Sequence, residues 1–276
     1  MTLLLAVAAG ALIGFSLGAL GGGGSILAVP ALVYLLDQSA SQATTGSLVV
    51  VGVTSLTGAV AAHRSGNVKL ARGIAFGLVA IAGAAAGAKA SALVSEPVLL
   101  AAFASLMLLV GGLMALRLVR HARADTAGGA HAARPTLDDP IITLREGFMC
   151  DCPRAVKVLV TATVVGLLTG FLGVGGGFLV VPALTLALAL PMQYAVGTSL
   201  AVITMTSAAA LAVRAGTGAS PDWTLVATLT AASALGGVAG ARLADRMSTA
   251  KLSIAFTALV LGVASFTATQ AVPALI

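Results

Sequence analysis

Two glycine-rich blocks, 152 residues apart, interrupt long apolar runs in this chain: Gly18 to Pro30 and Gly170 to Pro182. Glycine lacks a Cβ, so the backbone can turn sharply at such a block and approach a ligand closely. Where a helix begins at the break, its free N–H groups and the positive end of its dipole favour an anion. Paired breaks in corresponding apolar segments point to the binding site of a transporter. The blocks therefore predict an anion site built from two broken helices.

The candidate binding residues are those that offer close backbone approach or a hydrogen bond around the two breaks. The blocks contribute Gly21, Gly22, Gly23, Gly24, Ser25, Gly173, Gly175, Gly176 and Gly177. Hydroxyl and amide side chains that precede or open the next apolar segment of each half add Gln42, Thr44, Thr45, Ser47, Gln193, Thr198 and Ser199. Ser25 is placed to act as an N-cap or to donate its hydroxyl. The same chain offers a simpler interpretation for several of these residues.

Glycine also serves helix packing, and this alternative has to be weighed for every glycine pair. Runs of glycine destabilise a helix beyond what packing requires, so we favour a site at the two blocks. Pairs four residues apart instead predict close helix packing: Gly14/Gly18, Gly83/Gly87, Gly166/Gly170 and Gly236/Gly240.

Polar side chains allow two interpretations as well. Ser47 and Thr54 share a helical face, as do Ser199 and Thr206, and these stripes could line a pathway. The alternative, that Thr54 and Thr206 bond to carbonyls of their own helices, stays open. For Gln42 and Gln193, a surface loop is as good an interpretation as a ligand contact.

The elements that hold these residues are apolar segments of membrane length. The chain is 59% hydrophobic and 9% charged, far below the charge that covers a soluble protein. Ten segments lie near 2–20, 26–36, 43–62, 72–90, 97–117, 156–172, 178–190, 195–213, 223–243 and 252–272. Those at 26–36 and 178–190 are too short to span and read as half-helices that begin inside the membrane. Irregular backbone at that depth needs protein or a water-filled cavity around it.

Residues match between the halves well beyond the glycines. At the offset of 152, Gly14 corresponds to Gly166, and Ser47-Leu48 corresponds to Ser199-Leu200. We therefore predict an all-α polytopic membrane protein of two homologous repeats, each with about five apolar segments. The domains are a first repeat at 1–120, a polar linker at 121–155 and a second repeat at 156–276.

The basic residues predict the orientation of the repeats. If all five segments of each half cross, or the first two form a re-entrant pair, 13 of the 15 Lys and Arg residues lie on one side. Only Lys89 and Arg214 lie on the other. If each block merely kinks one spanning helix, the Lys and Arg residues divide 11 to 4 between the two sides and the repeats run parallel. The positive-inside rule favours the first arrangement, with inverted repeats, both termini outside and a cytoplasmic linker.

Charge placement also limits the function. All nine acidic residues fall at segment ends or in the linker, so a cationic substrate is disfavoured and carboxylate-based proton coupling lacks a candidate. Lys89 could draw an anion into a vestibule, although snorkelling to the interface is the simpler account. Scattered basic residues indicate no nucleic-acid binding. We expect no catalytic residues, metal ligands or cofactor, and interpret Cys150 and Cys152 as incidental linker residues.

At these residues the chain resembles the TauE/SafE family of membrane transporters, also called the sulfite exporter family. The resemblance rests on Gly-x-Gly-Gly-Gly followed five residues later by Pro, from Gly173 to Pro182, with a first copy from Gly21 to Pro30. His63 to Val68 and the Gly-Ala-Arg-Leu element at Gly240 add support. The resemblance covers nearly the whole chain except the linker. It implies transport of sulfur-containing anions, such as sulfite, sulfoacetate or other organosulfonates, commonly by export.

The expected function is thus a secondary transporter for a small anion in the cytoplasmic (inner) membrane. A passive channel for a small anion or neutral solute is the alternative. A membrane scaffold or enzyme subunit would leave the doubled glycine breaks unexplained. The expected partners are the small anionic substrate and the lipid bilayer, with no nucleic acid, and a homo-oligomer is left open.

Overall fold

The computed structural model describes residues 2–91, 93–126, 152–172, 177–187, 190–214, 221–244 and 246–271. These residues are almost entirely helical, and no strand occurs among them. The helices are α1 (Thr2–Leu20), α2 (Gly23–Pro30), α3 (Ala40–Arg64), α4 (Leu70–Ser91), α5 (Glu96–Thr126), α6 (Cys152–Leu172), α7 (Gly177–Ala187), α8 (Met192–Arg214), α9 (Trp223–Ala244) and α10 (Thr249–Ala271). A π-helical turn, Ala31–Leu35, continues α2.

Six of the described helices (α1, α3, α4, α8, α9 and α10) are long and apolar enough to cross a membrane. Shorter apolar stretches lie at Gly23–Leu35, Ala101–Leu116 and Val158–Leu172. The predicted all-α polytopic fold is confirmed, and each predicted segment coincides with one helix. Helical structure also enters the predicted linker at both ends, because α5 continues to Thr126 and α6 begins at Cys152. The rest of the linker, with Cys150, lies outside the described residues.

Helix α1 packs along α9 through glycines. A Cβ at Gly14 would overlap the carbonyl oxygen of Ser233, and one at Gly18 would overlap that of Gly237. Residue numbers rise together in the two helices, so α1 and α9 run in the same direction. Backbone approach this close requires glycine, because any side chain would push the helices apart.

Helices α4 and α6 form the equivalent pair. A Cβ at Gly166 would overlap the Ala80 carbonyl oxygen, and one at Gly170 would overlap that of Ala84. The remaining four glycines of the spaced pairs also meet carbonyl oxygens across these two interfaces: Gly83 meets Thr163, Gly87 meets Leu167, Gly236 meets Ala11 and Gly240 meets Phe15. The prediction that these glycines serve helix packing is confirmed. In the repeat, α6 is the equivalent of α1, and α9 is the equivalent of α4. The α1–α9 and α4–α6 pairs are therefore two copies of the same helix packing.

The equivalent helices α3 and α8 cross each other in the interior and run antiparallel. The hydroxyls of Ser55 and Thr204 lie 3.0 Å apart, and a Cβ at Gly58 would lie 3.1 Å from a methyl carbon of Leu200. Numbers rise along α3 as they fall along α8. Equivalent helices that cross antiparallel are related by an axis perpendicular to both, which supports the inverted arrangement of the repeats.

The first glycine block reverses the chain between α1 and α2. Gly21 has a φ of 70°, in the left-handed region that residues with a Cβ rarely adopt. After this turn, Gly24 lies so close to Ile13 and Leu17 of α1 that a Cβ would overlap their backbone atoms. Helix α2 therefore runs back along α1, as expected for a half-helix in a re-entrant pair.

Pro30 ends α2, and a capped turn then leads into α3. Pro30 has no N–H, so the preceding turn loses one hydrogen bond, and the helix continues only as the π-helical turn. Asp37 then takes a φ of 56°. Ser39 caps α3 in a capping box, with its hydroxyl accepting from the Gln42 N–H. This places the hydroxyl-bearing start of α3 directly after the half-helix.

Candidate functional site

The N-terminal ends of α2 and α7 meet inside the protein. A Cβ at Gly22, the N-cap of α2, would overlap the carbonyl oxygen of Gly177, the first residue of α7. A Cβ at Gly177 would lie 2.8 Å from both the Gly22 Cα and the Ser25 Oγ. Gly22, Ser25 and Gly177 are all buried. The first N–H groups of a helix have no acceptor one turn earlier in the same helix, so the start of α2 brings backbone donors close to this buried contact, where the Ser25 N–H bonds to the Gly22 carbonyl at 3.2 Å.

Ser25 lies in the first turn of α2, and the N-cap role predicted for it is wrong. The helix begins two residues earlier, with Gly22 as an N-cap that makes no side-chain hydrogen bond. Gly23 and Gly24 adopt the helical conformation, so the backbone of Ser25 is already inside the helix. Its hydroxyl instead donates to the Gly22 carbonyl at 2.7 Å. Ser25 corresponds to Gly177 in the repeat, and these two residues face each other.

The first glycine block is tied to the start of α8. The Ser199 hydroxyl, which is completely buried, lies 2.7 Å from the Gly21 carbonyl and 2.7 Å from the Val196 carbonyl. Next to it, the Thr198 hydroxyl accepts from the Lys69 N–H at 3.1 Å. Two predicted binding residues of the second repeat therefore contact the first half of the chain.

At the start of α3, the predicted hydroxyls are buried but bonded to their own helix. The hydroxyls of Thr44 and Thr45 donate to the Ser41 carbonyl at 2.9 and 3.0 Å. The Ser47 hydroxyl donates to the Thr44 carbonyl at 2.9 Å. Each hydroxyl oxygen keeps acceptor capacity after donating, and Thr44 uses its own for a cation.

Arg214 is that cation, and reasoning from the sequence missed it. The side chain is 7% exposed and donates to the Thr44 hydroxyl at 3.0 Å and to the Ser91 hydroxyl at 2.5 Å. In the sequence it directly follows the apolar segment at 195–213, where an interfacial arginine is ordinary. The one available signal was its position on the side of the membrane that is poor in basic residues. Its equivalent in the first repeat is Ala62.

The two glutamines occupy different environments. The Gln42 amide oxygen accepts from the Ser39 N–H at 3.4 Å, so Gln42 belongs to the cap of α3. Gln193 donates to the Met247 carbonyl at 3.4 Å and lines an interior cavity. Gln193 is therefore the one of the two that lies beside space inside the protein.

That cavity lies beside the first glycine block and is small. Gly18, Asn67, Gln193 and Gly197 contribute to its lining, and its volume is about 20 Å³. A space of this size holds roughly one water molecule. A sulfite or sulfonate group does not fit, so this conformation is closed to such a ligand at this point.

The middles of α3 and α8 also carry buried hydroxyls. Thr206 donates to the Val202 carbonyl of its own helix at 3.0 Å, as the second interpretation expects. Thr54 Oγ1 and Ser207 Oγ are buried and have no hydrogen-bond partner among the described residues. The predicted polar stripe is thus partly bonded within its helix and partly available.

The structure brings Gly21, Gly22, Ser25, Gly177 and Ser199 together. Gln42 lies apart from them, in the cap of α3, and Gln193 lies at the small cavity. Gly173, Gly175 and Gly176, which complete the predicted second block, lie outside the described residues.

Membrane-length helices enclosing two half-helices that meet in the interior define a polytopic membrane protein with the architecture of a transporter. Comparison with known proteins agrees: a profile of the sulfite exporter TauE/SafE family matches residues 6–267. The chain belongs to this family, whose members are membrane transporters and do not form an enzyme class.

Curated relatives carry transporter names. Two probable membrane transporter proteins of Xylella fastidiosa, from strains 9a5c and Temecula1, are 33% and 32% identical over 96% of this chain and 94% of theirs. The probable membrane transporter protein YunE of Bacillus subtilis is 28% identical over 90% of this chain and 91% of its own. No solved structure matches the chain significantly.

Proposed function

We propose that the protein is a secondary transporter that exports a small sulfur-containing anion, such as sulfite or an organosulfonate, across the cytoplasmic membrane. The observation that carries the proposal is the buried meeting of the α2 and α7 N-terminal ends at Gly22 and Gly177. Helix N-termini attract anions through unpaired N–H groups and the positive end of the dipole. Two of them at one point, close to where α3 and α8 cross, form a site for one compact anion.

The distribution of charge in the protein supports a negative substrate. Arg214 holds a buried guanidinium against Thr44 at the start of α3. All acidic residues of the chain lie at segment ends or in the linker. An anion entering the interior would therefore meet amide dipoles, hydroxyls and a cation, with carboxylates kept away from the middle of the helices.

Transport would require the half-helices to move. The cavity beside the first block has a volume of about 20 Å³ and is lined by residues of α1, α3, α8, α9 and α10, so these helices must separate before a sulfite or sulfonate can pass. Gly18, Gln193 and Gly197 line the approach from one end. The charge count assigns that end to the cytoplasm.

Gly22→Ala tests the site. The added methyl would overlap the Gly177 carbonyl oxygen, forcing α2 and α7 apart, and we expect at least a tenfold loss of labelled sulfite counterflow in proteoliposomes. Gly262→Ala in α10 is the matched control, because a Cβ there meets nothing within 4 Å. Counterflow, which a carrier shows and a channel lacks, should be saturable in wild type and control.

A second measurement keeps the result interpretable if Gly22→Ala folds poorly. Sulfite should raise the unfolding temperature of the purified wild-type protein by mass action and should raise that of the Gly22→Ala variant much less. Full counterflow and full stabilisation by sulfite in the folded variant would overturn the assignment of the site. Stabilisation by a panel of anions, with carboxylates and thiosulfate beside sulfite and sulfoacetate, would identify the substrate class.

A further inference from the structure

A groove of about 560 Å³ opens between α3 and α9 on the outside of the helix bundle. Leu56 and Val60 of α3 and Val238 of α9 form its apolar part, and Arg64 and Arg242 stand at one end. Leu56 and Val60 are 52% and 48% exposed, so this wall faces the surroundings of the protein. The groove therefore combines a lipid-facing apolar channel with two guanidinium groups.

The spacing of these residues gives the groove a direction. Leu56, Val60 and Arg64 are four residues apart and follow one face of α3, and Val238 and Arg242 repeat the spacing on α9. Both helices reach their C-terminal ends on the same side of the bundle. Each stripe runs from apolar residues near mid-helix to an arginine near that end, over about 12 Å on α3. An acyl chain fits the apolar part and a phosphate the arginine end.

In the sequence of the other repeat, the residues equivalent to the α3 side of the groove are smaller and uncharged. At the offset of 152, Leu56, Val60 and Arg64 correspond to Ala208, Ala212 and Gly216 in the sequence. The equivalent positions in the sequence therefore have alanine in place of the larger apolar residues and glycine in place of Arg64, whereas Arg242 corresponds to the basic Lys89 at the offset of 153. The groove with Arg64 and Arg242 lies at the end that the charge count assigns to the cytoplasm. Basic pockets between helices on that side bind the headgroups of anionic lipids.

We propose that this groove binds an anionic phospholipid of the cytoplasmic leaflet. The phosphate lies between Arg64 and Arg242, and one acyl chain lies along Leu56, Val60 and Val238. Arginine suits this role because its planar guanidinium makes paired hydrogen bonds with phosphate oxygens. The proposal rests on the orientation given under Proposed function, but it concerns a surface separate from the meeting point of the half-helices.

Native mass spectrometry of the purified protein with phosphatidylglycerol tests the groove. We expect phosphatidylglycerol to bind the wild type, and each of Arg64→Gln and Arg242→Gln to weaken that binding about fivefold. Lys251→Gln on α10, also exposed and also one charge less, is the matched control and should bind like the wild type. Phosphatidylcholine should bind at least fivefold more weakly than phosphatidylglycerol.

Further arms separate the lipid from other anions. Glycerol phosphate, which has the headgroup charge without acyl chains, should not displace phosphatidylglycerol, and neither should sulfite. Displacement by sulfite would place the groove on the transport path and overturn the proposal, as would unchanged binding in both arginine variants. Because the readout is lipid binding, it does not depend on whether the protein transports sulfite.

Discussion

Arg214 shows how one side chain joins three helices. Its guanidinium donates to Thr44 at the start of α3 and to Ser91 at the end of α4, while its own Cα ends α8. Both acceptors are hydroxyls, and the side chain is 7% exposed. A hydrogen bond to a charged group contributes more than one between neutral groups. The arginine therefore ties the end of α8 to two helices of the other repeat.

We expect Arg214→Gln to lower the free energy of unfolding by about 1–3 kcal/mol, because both bonds are lost and the space is poorly refilled. The measurement is thermal unfolding in detergent, with tryptophan fluorescence or static light scattering as readout. Lys89→Gln is the control at the same end of the bundle, since Lys89 is exposed. Equal unfolding temperatures for the two variants would show that the bonds of Arg214 contribute little.

Residue types alone identified the glycine blocks but not Arg214. A run of glycines is so unfavourable in a helix that its presence already indicates a turn or a ligand. Arginine at the end of an apolar segment is ordinary, and its burial is decided by how α3 and α4 pack around it. Ser25 shows the same limit, because its position relative to the helix start depended on whether Gly23 and Gly24 were helical.

At the scale of helices, the spaced glycine pairs hold α1 against α9 and α4 against α6. We expect Gly14→Ala and Gly170→Ala to destabilise the protein, because each methyl would overlap a carbonyl oxygen of the neighbouring helix. Gly112→Ala in α5 should be neutral or stabilising by up to about 1 kcal/mol, since nothing lies within 4 Å of its Cβ and alanine favours helix. Thermal unfolding of the three variants shows whether each substitution raises or lowers the unfolding temperature relative to the wild type.

The opposite result would be informative as well. If Gly14→Ala and Gly112→Ala shifted the unfolding temperature equally, the loss of backbone flexibility would account for both and close packing for neither. The same carbonyl contacts recur at Gly83, Gly87, Gly236 and Gly240. A second set of substitutions is therefore available if one position proves tolerant.

Helices were the most predictable part of this chain, because hydropathy over membrane length leaves few alternatives to a helix. The half-helices at 26–36 and 178–190 followed from the same length argument. Helix ends were less accessible to prediction. Helix α5 continues well past its apolar segment to Thr126, and its polar last turns carry no hydropathy signal.

At the scale of the whole molecule, the contacts sort the helix ends into two groups. Arg214, Thr44 and Ser91 meet at one end. At the other, Lys69 bonds to Thr198 and Gln193 to Met247. This division agrees with the arrangement derived from counting lysines and arginines, in which Lys89 and Arg214 lie on the opposite side from the other basic residues. Because α3 and α8 run antiparallel, the end of α8 lies on the same side as the start of α3. The positive-inside rule predicts that the second end, with Lys69 and Met247, faces the cytoplasm.

Cysteine labelling tests the orientation directly. With Cys150 and Cys152 replaced by serine, single cysteines at the exposed positions Ser65 and Ser248 represent the end rich in basic residues, and cysteines at Ser95 and Thr224 represent the other. A membrane-impermeant maleimide should label Ser95→Cys and Thr224→Cys in intact cells. It should label Ser65→Cys and Ser248→Cys only after the membrane is opened. The reason is that Ser95 and Thr224 are expected to lie outside, whereas Ser65 and Ser248 are expected to face the cytoplasm.

The pattern of labelling also separates the two arrangements of the repeats. Ser65 lies between α3 and α4, and Ser248 lies between α9 and α10. The equivalent of the α3–α4 turn is the α8–α9 turn, so Ser248 lies one helix beyond the position equivalent to Ser65. In an inverted pair these turns share a side, whereas in a parallel pair they fall on opposite sides. Labelling of Ser65→Cys and Ser248→Cys from opposite sides would contradict the inverted arrangement. Labelling of both from outside would be consistent with inverted repeats but would reverse their predicted orientation in the membrane. Either result would also contradict the cytoplasmic position of the proposed lipid groove, because Arg64 and Arg242 lie next to these two turns.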